Sequence, residues 1–570
     1  MNVTVLPATP AAFAQASWDD VVPYFDELAA RPLDSSNIEA WLADWSRLEE
    51  LVGEAAAQAM IAYTIDTGDR EKEANHLRFS TEVLPKMEER SVDLARRLVD
   101  SGHSSPALET TLARFRTQIE IFREQNVPLF AELEELSARY QRITGSIMVE
   151  WEGVSRPLPQ LQPFLKSPDR AVREHAFRAS SMPYVERRDE LARLFDRMYQ
   201  LRTQAARNSG FANFRDYIFP AKFRFDYTPA DCERFHAAVE RVVVPSVERV
   251  LEARRVRLGL NRLRPWDLAV DPYRTQALRP FADAAELVTK ARRVFQRVDP
   301  ELGSEFQTMI DEKLLDLDSR KGKAPGGYCE TLHFQGRPFI FMNAVGLVDD
   351  VMTLLHEAGH AFHAFASHPL PLIWQRHPGS EAAELASMSM ELLAAPHLVQ
   401  PTGYFNGEDA RSAWLEHLED ILLSLAHIAS VDAFQSWIYS SGQGHDAAAR
   451  DEAWLNIRGR FERGVDWSGL ERERTARWYR QLHIFMYPFY YIEYGIAQLG
   501  AVQVWRNSLD DPGRAVAQYR QALSLGAVKN LPQIYRTAGA RLIFDEAEME
   551  PLVGLVEQHI ERIRAELDRS

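Results

Sequence analysis

Between residues 39 and 145, apolar positions recur three and four apart among charged neighbours, as in Leu94–Leu98 and Ile119–Phe122, a period that gathers them on one helical face. The pattern predicts a helical bundle rather than a coiled coil. Pro157, Pro159 and Pro163 interrupt it near residues 153–168, after which DRAVREHAFRAS restarts a helix, so a boundary is expected there. Residues 186–207 read as one amphipathic helix stopped by Ser209-Gly210, and PAKFRFDYTPADCERF as a turn with a new helix starting near Asp231. Residues 265–280, with Pro272 between, show no period and read as a loop.

The pattern changes between residues 321 and 343. In KGKAPGGYCETLHFQGRPFIFMN, glycine, aromatic and β-branched residues replace helical faces, which predicts two strands, 327–332 and 338–343, joined at Gln335-Gly336. Asp349-Asp350 then opens a helix through HEAGH, the acids suiting its positive end. The expected fold class is mainly α, with a small β-sheet next to the HEAGH helix.

A chain of 570 residues that is 46% hydrophobic can bury a large core. Its net charge of −16 argues against a nucleic-acid partner, which needs a positive field to replace condensed counterions. Cys232 and Cys329 are too few for a disulfide framework or a thiolate zinc site, and a reducing, cytoplasmic setting is expected. The start MNVTVLPATPAAFAQASWDD lacks the basic residues and apolar run of a secretory signal. Residues 483–505 are long and apolar but carry His483, Pro488, Glu493 and Gln498, so they read as buried core lining a site and no membrane partner is expected.

His356-Glu357-Ala358-Gly359-His360 carries the chemistry. Four residues apart on a helix, His356 and His360 point two imidazoles at one cation, and Glu357, rotated about 100° from His356, can reach water beside it. A catalytic zinc takes three protein ligands and keeps one position open, so a third ligand is needed. GSEAAELASMSMELL offers Glu381, Glu384 and Glu391, all on one predicted helix, and spacing alone does not choose among them. The small residues Ala382, Ala383, Ala386 and Ser387 would let that helix approach the first closely. Gly359, which costs about 1 kcal/mol against Ala inside a helix, fits such an approach. His333 and His363 are expected as hydrogen-bonded packing residues. In HIFMYPFYYIEYGIAQLG, His483, Tyr487, Tyr490, Tyr491 and Tyr494 gather hydroxyl and imidazole donors at helical spacing, which suits a tetrahedral oxyanion.

The segments KAPGGYCETLHFQGRPFIFMN, DDVMTLLHEAGHAFH, AELASMSMELL and HIFMYPFYYIEYGIAQLGAVQVW together resemble the zinc metallopeptidase family that contains thimet oligopeptidase and oligoendopeptidase F, nearest the oligoendopeptidase F and Pz-peptidase branch. NFRDYIFPAKFRFDYTPAD and SLGAVKNLPQIYRTAGARLIFD extend a weaker likeness. The resemblance implies a two-lobed helical body with a deep substrate channel, here a helical N-terminal lobe over 1–200 and a catalytic domain over 201–570. It also implies one Zn²⁺ per chain, and short unstructured peptides as substrates rather than folded proteins. His356, His360 and Glu384 match the zinc ligands, Glu357 the general base, and Glu391 an acid that orients a ligand histidine from behind. His483 and Tyr490 match the donors to the substrate carbonyl and oxyanion, with Tyr494 close by. Pro488-Phe489 stands where the thimet branch has a glycine-rich loop, and PFIFMN is expected to offer a strand edge to an extended substrate.

The expected reaction is attack of a zinc-activated water on an internal peptide bond, with Glu357 taking the proton and passing it to the leaving amine. The alternatives are an inactive peptide-binding protein, and a thermolysin-like protease of folded proteins, whose third glutamate would lie around Glu381.

Overall fold

The computed structural model describes residues 5–274, 276, 278–320, 322–324 and 326–569; Lys321 and Pro325, at the start of the predicted sheet segment, lie outside them. The chain is mainly helical. The periodic stretch near the N-terminus forms the helices Ile38–Ile65, Leu84–Asp100, Glu109–Ile121 and Val127–Gly145. Trp41, Trp45, Leu98 and Phe115 fill a core of their own, joined from far along the chain by Leu372 and Trp374. The helix Trp18–Ala30 joins that core through Val21, Phe25 and Leu28, and most helices from Val127 onward share a second, larger one.

Two local differences from the sequence reading concern prolines and helix ends. The proline-interrupted stretch holds a hairpin of β1 (Met148–Trp151) and β2 (Val154–Pro157), turned by Glu152 and Gly153, both at positive φ. The helix predicted over 186–207 is the second of a pair, Arg170–Glu186 and Arg188–Asn208, and it ends at Ser209 with Gly210 at φ +87°.

Beside the site, β3 (Leu315–Asp318), β4 (Tyr328–Leu332) and β5 (Arg337–Ala344) form a sheet in the order β3-β5-β4. β4 and β5 pair antiparallel from Leu332↔Arg337 to Tyr328↔Phe341, and Gly336 turns between them at φ +65°. β3, a four-residue Leu-Asp-Leu-Asp alternation not predicted as a strand, pairs parallel with β5. The expectation that PFIFMN supplies a substrate-pairing edge is therefore corrected: it is β5, enclosed on both sides. The edge is β4, and residues 328–331 along it line a cavity.

The HEAGH helix, Val348–Ser367, begins where the Asp350 carboxylate accepts hydrogen bonds from the Val345 and Leu347 amides. It lies directly against the helix Ser380–Ala394. A Cβ on Gly359 would sit 2.5 Å from Ser387 Cα and 2.6 Å from the Ala386 carbonyl, so the glycine and the small residues facing it fix the spacing of the two helices. Among the described residues, the helix long and apolar enough to cross a membrane is Gly407–Ser440, with 67% of its most apolar window buried inside the molecule. Residues 483–505 are broken instead into Leu482–Met486 and the start of Tyr491–Asp510.

Candidate active site

Each turn of the HEAGH helix brings one imidazole to the same place. The His356 and His360 rings lie 5.0 Å apart at 82°, and Glu384 Oε2 stands 3.3 Å from His356 Nε2 and 3.7 Å from His360 Nε2. Two imidazole nitrogens and a carboxylate oxygen, all within 4.8 Å of one another, make a donor set that fits zinc. The three glutamates of the second helix separate by partner. Glu381 accepts from the Tyr227 hydroxyl beside Arg224. Glu391 Oε1 pairs with His356 Nδ1 at 2.7 Å, so Nε2 is the ring nitrogen that faces the cluster. Glu384 faces both histidines, and its Oε2 also accepts from Ser387 Oγ at 2.9 Å.

Burial and charge set the protonation of this group. Burial pushes the Glu384 carboxyl up, but the His360 and His356 imidazoles and the Tyr490 hydroxyl outweigh it and hold it down to about 2. Burial lowers His360 to about 4, whereas in His356 the flanking Glu384 and Glu391 overcome burial and raise it. Glu357, buried and short of donors, is pushed up to about 7 by desolvation. A carboxylate poised there is suited to take and return protons near neutrality.

The second half of the site approaches on a broken helix. Tyr487, Tyr490 and Tyr494 do not share a continuous helical face, because the chain leaves the helix at Tyr487 and resumes at Tyr491. Between them Phe489 takes φ +62°, the left-handed conformation that the glycine-rich loop of the thimet branch would reach without strain. Its carbonyl accepts from Arg224 Nη2 and its amide donates to Gln435 Oε1 at 3.1 Å. Arg224 and Lys222 both pair with Glu493, and the Lys222 ammonium sits 4.9 Å from the Tyr490 ring centre. These side chains hold the strained turn. Glu493 stood out from the sequence only as a charge in an apolar stretch; Arg224, Lys222 and Gln435 were not singled out, since nothing in their local pattern marks them.

So held, Tyr490 donates its hydroxyl to Glu384 Oε1 at 2.8 Å and stacks edge-on with Tyr494 at 5.0 Å. The His483 ring lies 5.4 Å from Tyr490 and 5.9 Å from Tyr494, and burial lowers it to about 4, so it is neutral at pH 7. Tyr491 differs from its neighbours: its hydroxyl donates to Gln481 Oε1 at 2.9 Å. Tyr490 and Tyr494, but not Tyr491, line a cavity of about 450 Å³ together with His356, Glu357, His360 and Glu384. His333 and His363 line it too. No hydrogen bond to either ring occurs among the described residues, so they are not the hydrogen-bonded packing residues expected.

Comparison with known proteins places this geometry. The chain is similar to a Pz peptidase A solved with an inhibitor, with 29% identity, a TM-score of 0.91 and coverage of 96% of this chain and 98% of that one. It is 22% identical to an oligoendopeptidase F homolog of Borreliella burgdorferi over 79% of this chain and 76% of the relative. With the chromosomal oligoendopeptidase F of Lactococcus lactis subsp. cremoris the identity is 27%, over 31% of this chain and only 28% of that relative's length. The peptidase M3 N-terminal domain matches residues 10–121, and peptidase family M3 itself matches residues 164–552, well over half the sequence. The chain therefore belongs to peptidase family M3.

Proposed function

We propose that the protein is a zinc metalloendopeptidase that hydrolyses internal bonds of short, unstructured peptides. The observation that carries this reading is the convergence of His356, His360 and Glu384 beside Glu357, in a cavity also lined by Tyr490 and Tyr494. The cavity volume of about 450 Å³ suits a few residues of extended chain, not the surface of a folded domain. Zinc, held by His356, His360 and Glu384, would lower the pKa of water and polarise the scissile carbonyl.

The protein's own groups do the rest. The edge of β4 pairs with the peptide backbone and presents one carbonyl to the floor of the cavity. Glu357 takes a proton from the attacking water and delivers it to the departing amine. Tyr490, Tyr494 and the neutral His483 ring surround the place where the carbonyl oxygen gains charge and donate hydrogen bonds to it. In the resting protein Tyr490 donates to Glu384, so substrate binding redirects a hydrogen bond already made. Glu391 keeps His356 in the tautomer that offers Nε2 outward. A cytoplasmic location belongs to the same reading, and Cys232 and Cys329 as unpaired thiols agree with it.

Glu357→Gln is the test. Loss of the base is expected to lower cleavage of a quenched peptide by roughly 10³-fold, while zinc measured by elemental analysis stays near one per chain. Retained turnover would remove Glu357 from the mechanism; a chain that binds no zinc would remove the reading.

A further inference from the structure

One part of the cavity wall is rich in imidazoles. His333 follows β4, His363 lies three residues beyond His360, His368 caps the HEAGH helix, and His377 precedes Pro378; all four line the cavity. Among the described residues none of the four rings makes a hydrogen bond. The His333 and His377 rings are 4.2 Å apart at their centres. Behind them stand two guanidinium groups held by backbone: Arg376 Nη1 donates to the His333 carbonyl at 3.2 Å, and Arg114 Nη1 to the His377 carbonyl at 2.5 Å. Arg376 is partly countered by Glu50, 3.2 Å away.

Burial above all holds both rings neutral, helped at His333 by the neighbouring His377 ring and Arg376 and at His377 by Arg114 and Arg376. The acids Glu330, Glu357 and Glu384 line the same cavity, but it is Arg376 and Arg114 that bond to the His333 and His377 backbone. Uncommitted ring N–H donors in a field set by guanidinium groups lack one thing, an acceptor bearing negative charge.

We infer that His333 and His377, backed by Arg376 and Arg114, form a subsite for a carboxylate of the peptide substrate. The carboxylate is either the chain terminus or an acidic side chain. Its binding would set which peptides the site prefers, through KM more than kcat, because the contact is made to a group other than the reacting carbonyl. This rests on the peptidase reading above.

The experiment compares matched quenched peptides. One arm differs only in a free carboxylate or an amide at the C-terminus; the other differs in Glu or Gln at successive positions around the cleaved bond. One arm is expected to show a preference of at least about fivefold in kcat/KM for the carboxylate member, and the arm that shows it identifies the source. The His333→Gln/His377→Gln double variant should bring that ratio to near one. Equal cleavage of every pair by the parent protein, or a preference that survives the double variant, overturns the inference and leaves the peptidase reading intact. If no peptide is cleaved, that reading fails instead. The same peptides are then compared by dissociation constant on the parent protein, where equal affinity overturns the subsite. Single variants at His333 and at His377 serve if the double variant does not fold.

Discussion

The two halves of the site are held by opposite means. The histidine–glutamate cluster stands on two straight helices whose spacing is fixed by contact of Gly359 with the Ser387 backbone, and every one of its side chains follows from helical geometry. The His483–Tyr494 region stands on a break between helices, with Phe489 at φ +62° and a clasp of Arg224, Lys222 and Gln435 brought from far away in sequence. Regular structure places groups that need a fixed mutual distance. A strained turn places groups that have to exchange partners, as is proposed for Tyr490, whose hydroxyl is held by Glu384.

The sharpest way to break this comparison is Tyr490→Phe. If the turn exists to present that hydroxyl to a developing oxyanion, kcat should fall by about 10²–10³ with zinc content unchanged. Tyr491→Phe, one residue along, removes a hydroxyl committed to Gln481 and should change kcat by less than threefold or so. Equal losses in the two variants would mean that the turn does not discriminate between its tyrosines.

The same contrast decided what could be read from the chain. HEAGH, a helix of small residues and a choice of three glutamates were legible because ligands, base and supporting acid all obey one period. The β4–β5 hairpin was legible from its turn, but its free edge was not. Only the parallel pairing of β3, whose Leu-Asp-Leu-Asp alternation is too short to mark a strand by itself, turns PFIFMN into a central strand. The clasp on Phe489 was hidden for a related reason. Arg224 and Phe489 are 265 positions apart, and a buried arginine in sequence looks like any surface one. His333 was read as a packing residue and His377 was passed over, because a lone histidine outside a motif carries no direction.

Gly359→Ala tests the helix half. Alanine gains about 1 kcal/mol over glycine within a helix, but the new methyl would meet backbone at 2.5 Å, which no rotamer change relieves. The expected outcome is a net loss of about 1–3 kcal/mol in unfolding free energy, together with weaker zinc retention on dialysis, since the two ligand helices are pushed apart. An unchanged melting temperature with full zinc would show that the spacing is set elsewhere.

The smallest effect concerns what lies behind those helices. The Tyr519 hydroxyl donates to the Ala386 carbonyl of the glutamate helix, and Glu305 acts on Tyr519 from the far side. Burial pushes the Glu305 carboxyl up to about 7, only partly opposed by Arg520, and its Oε2 is buried with no hydrogen-bond partner among the described residues. A folded-state value raised above the unfolded one near 4.5 means that the protonated acid is favoured by folding. That contribution is fully present below about pH 4.5 and is lost as pH rises through 7. Glu305→Gln should therefore flatten the fall in stability between pH 6 and 8.5 by about 1 kcal/mol, read from denaturant unfolding at the two pH values, without touching the pH dependence of turnover. A slope identical to that of the parent would show that Glu305 is charged and compensated at neutrality, and that the support behind the glutamate helix is as polar as the loop half of the site.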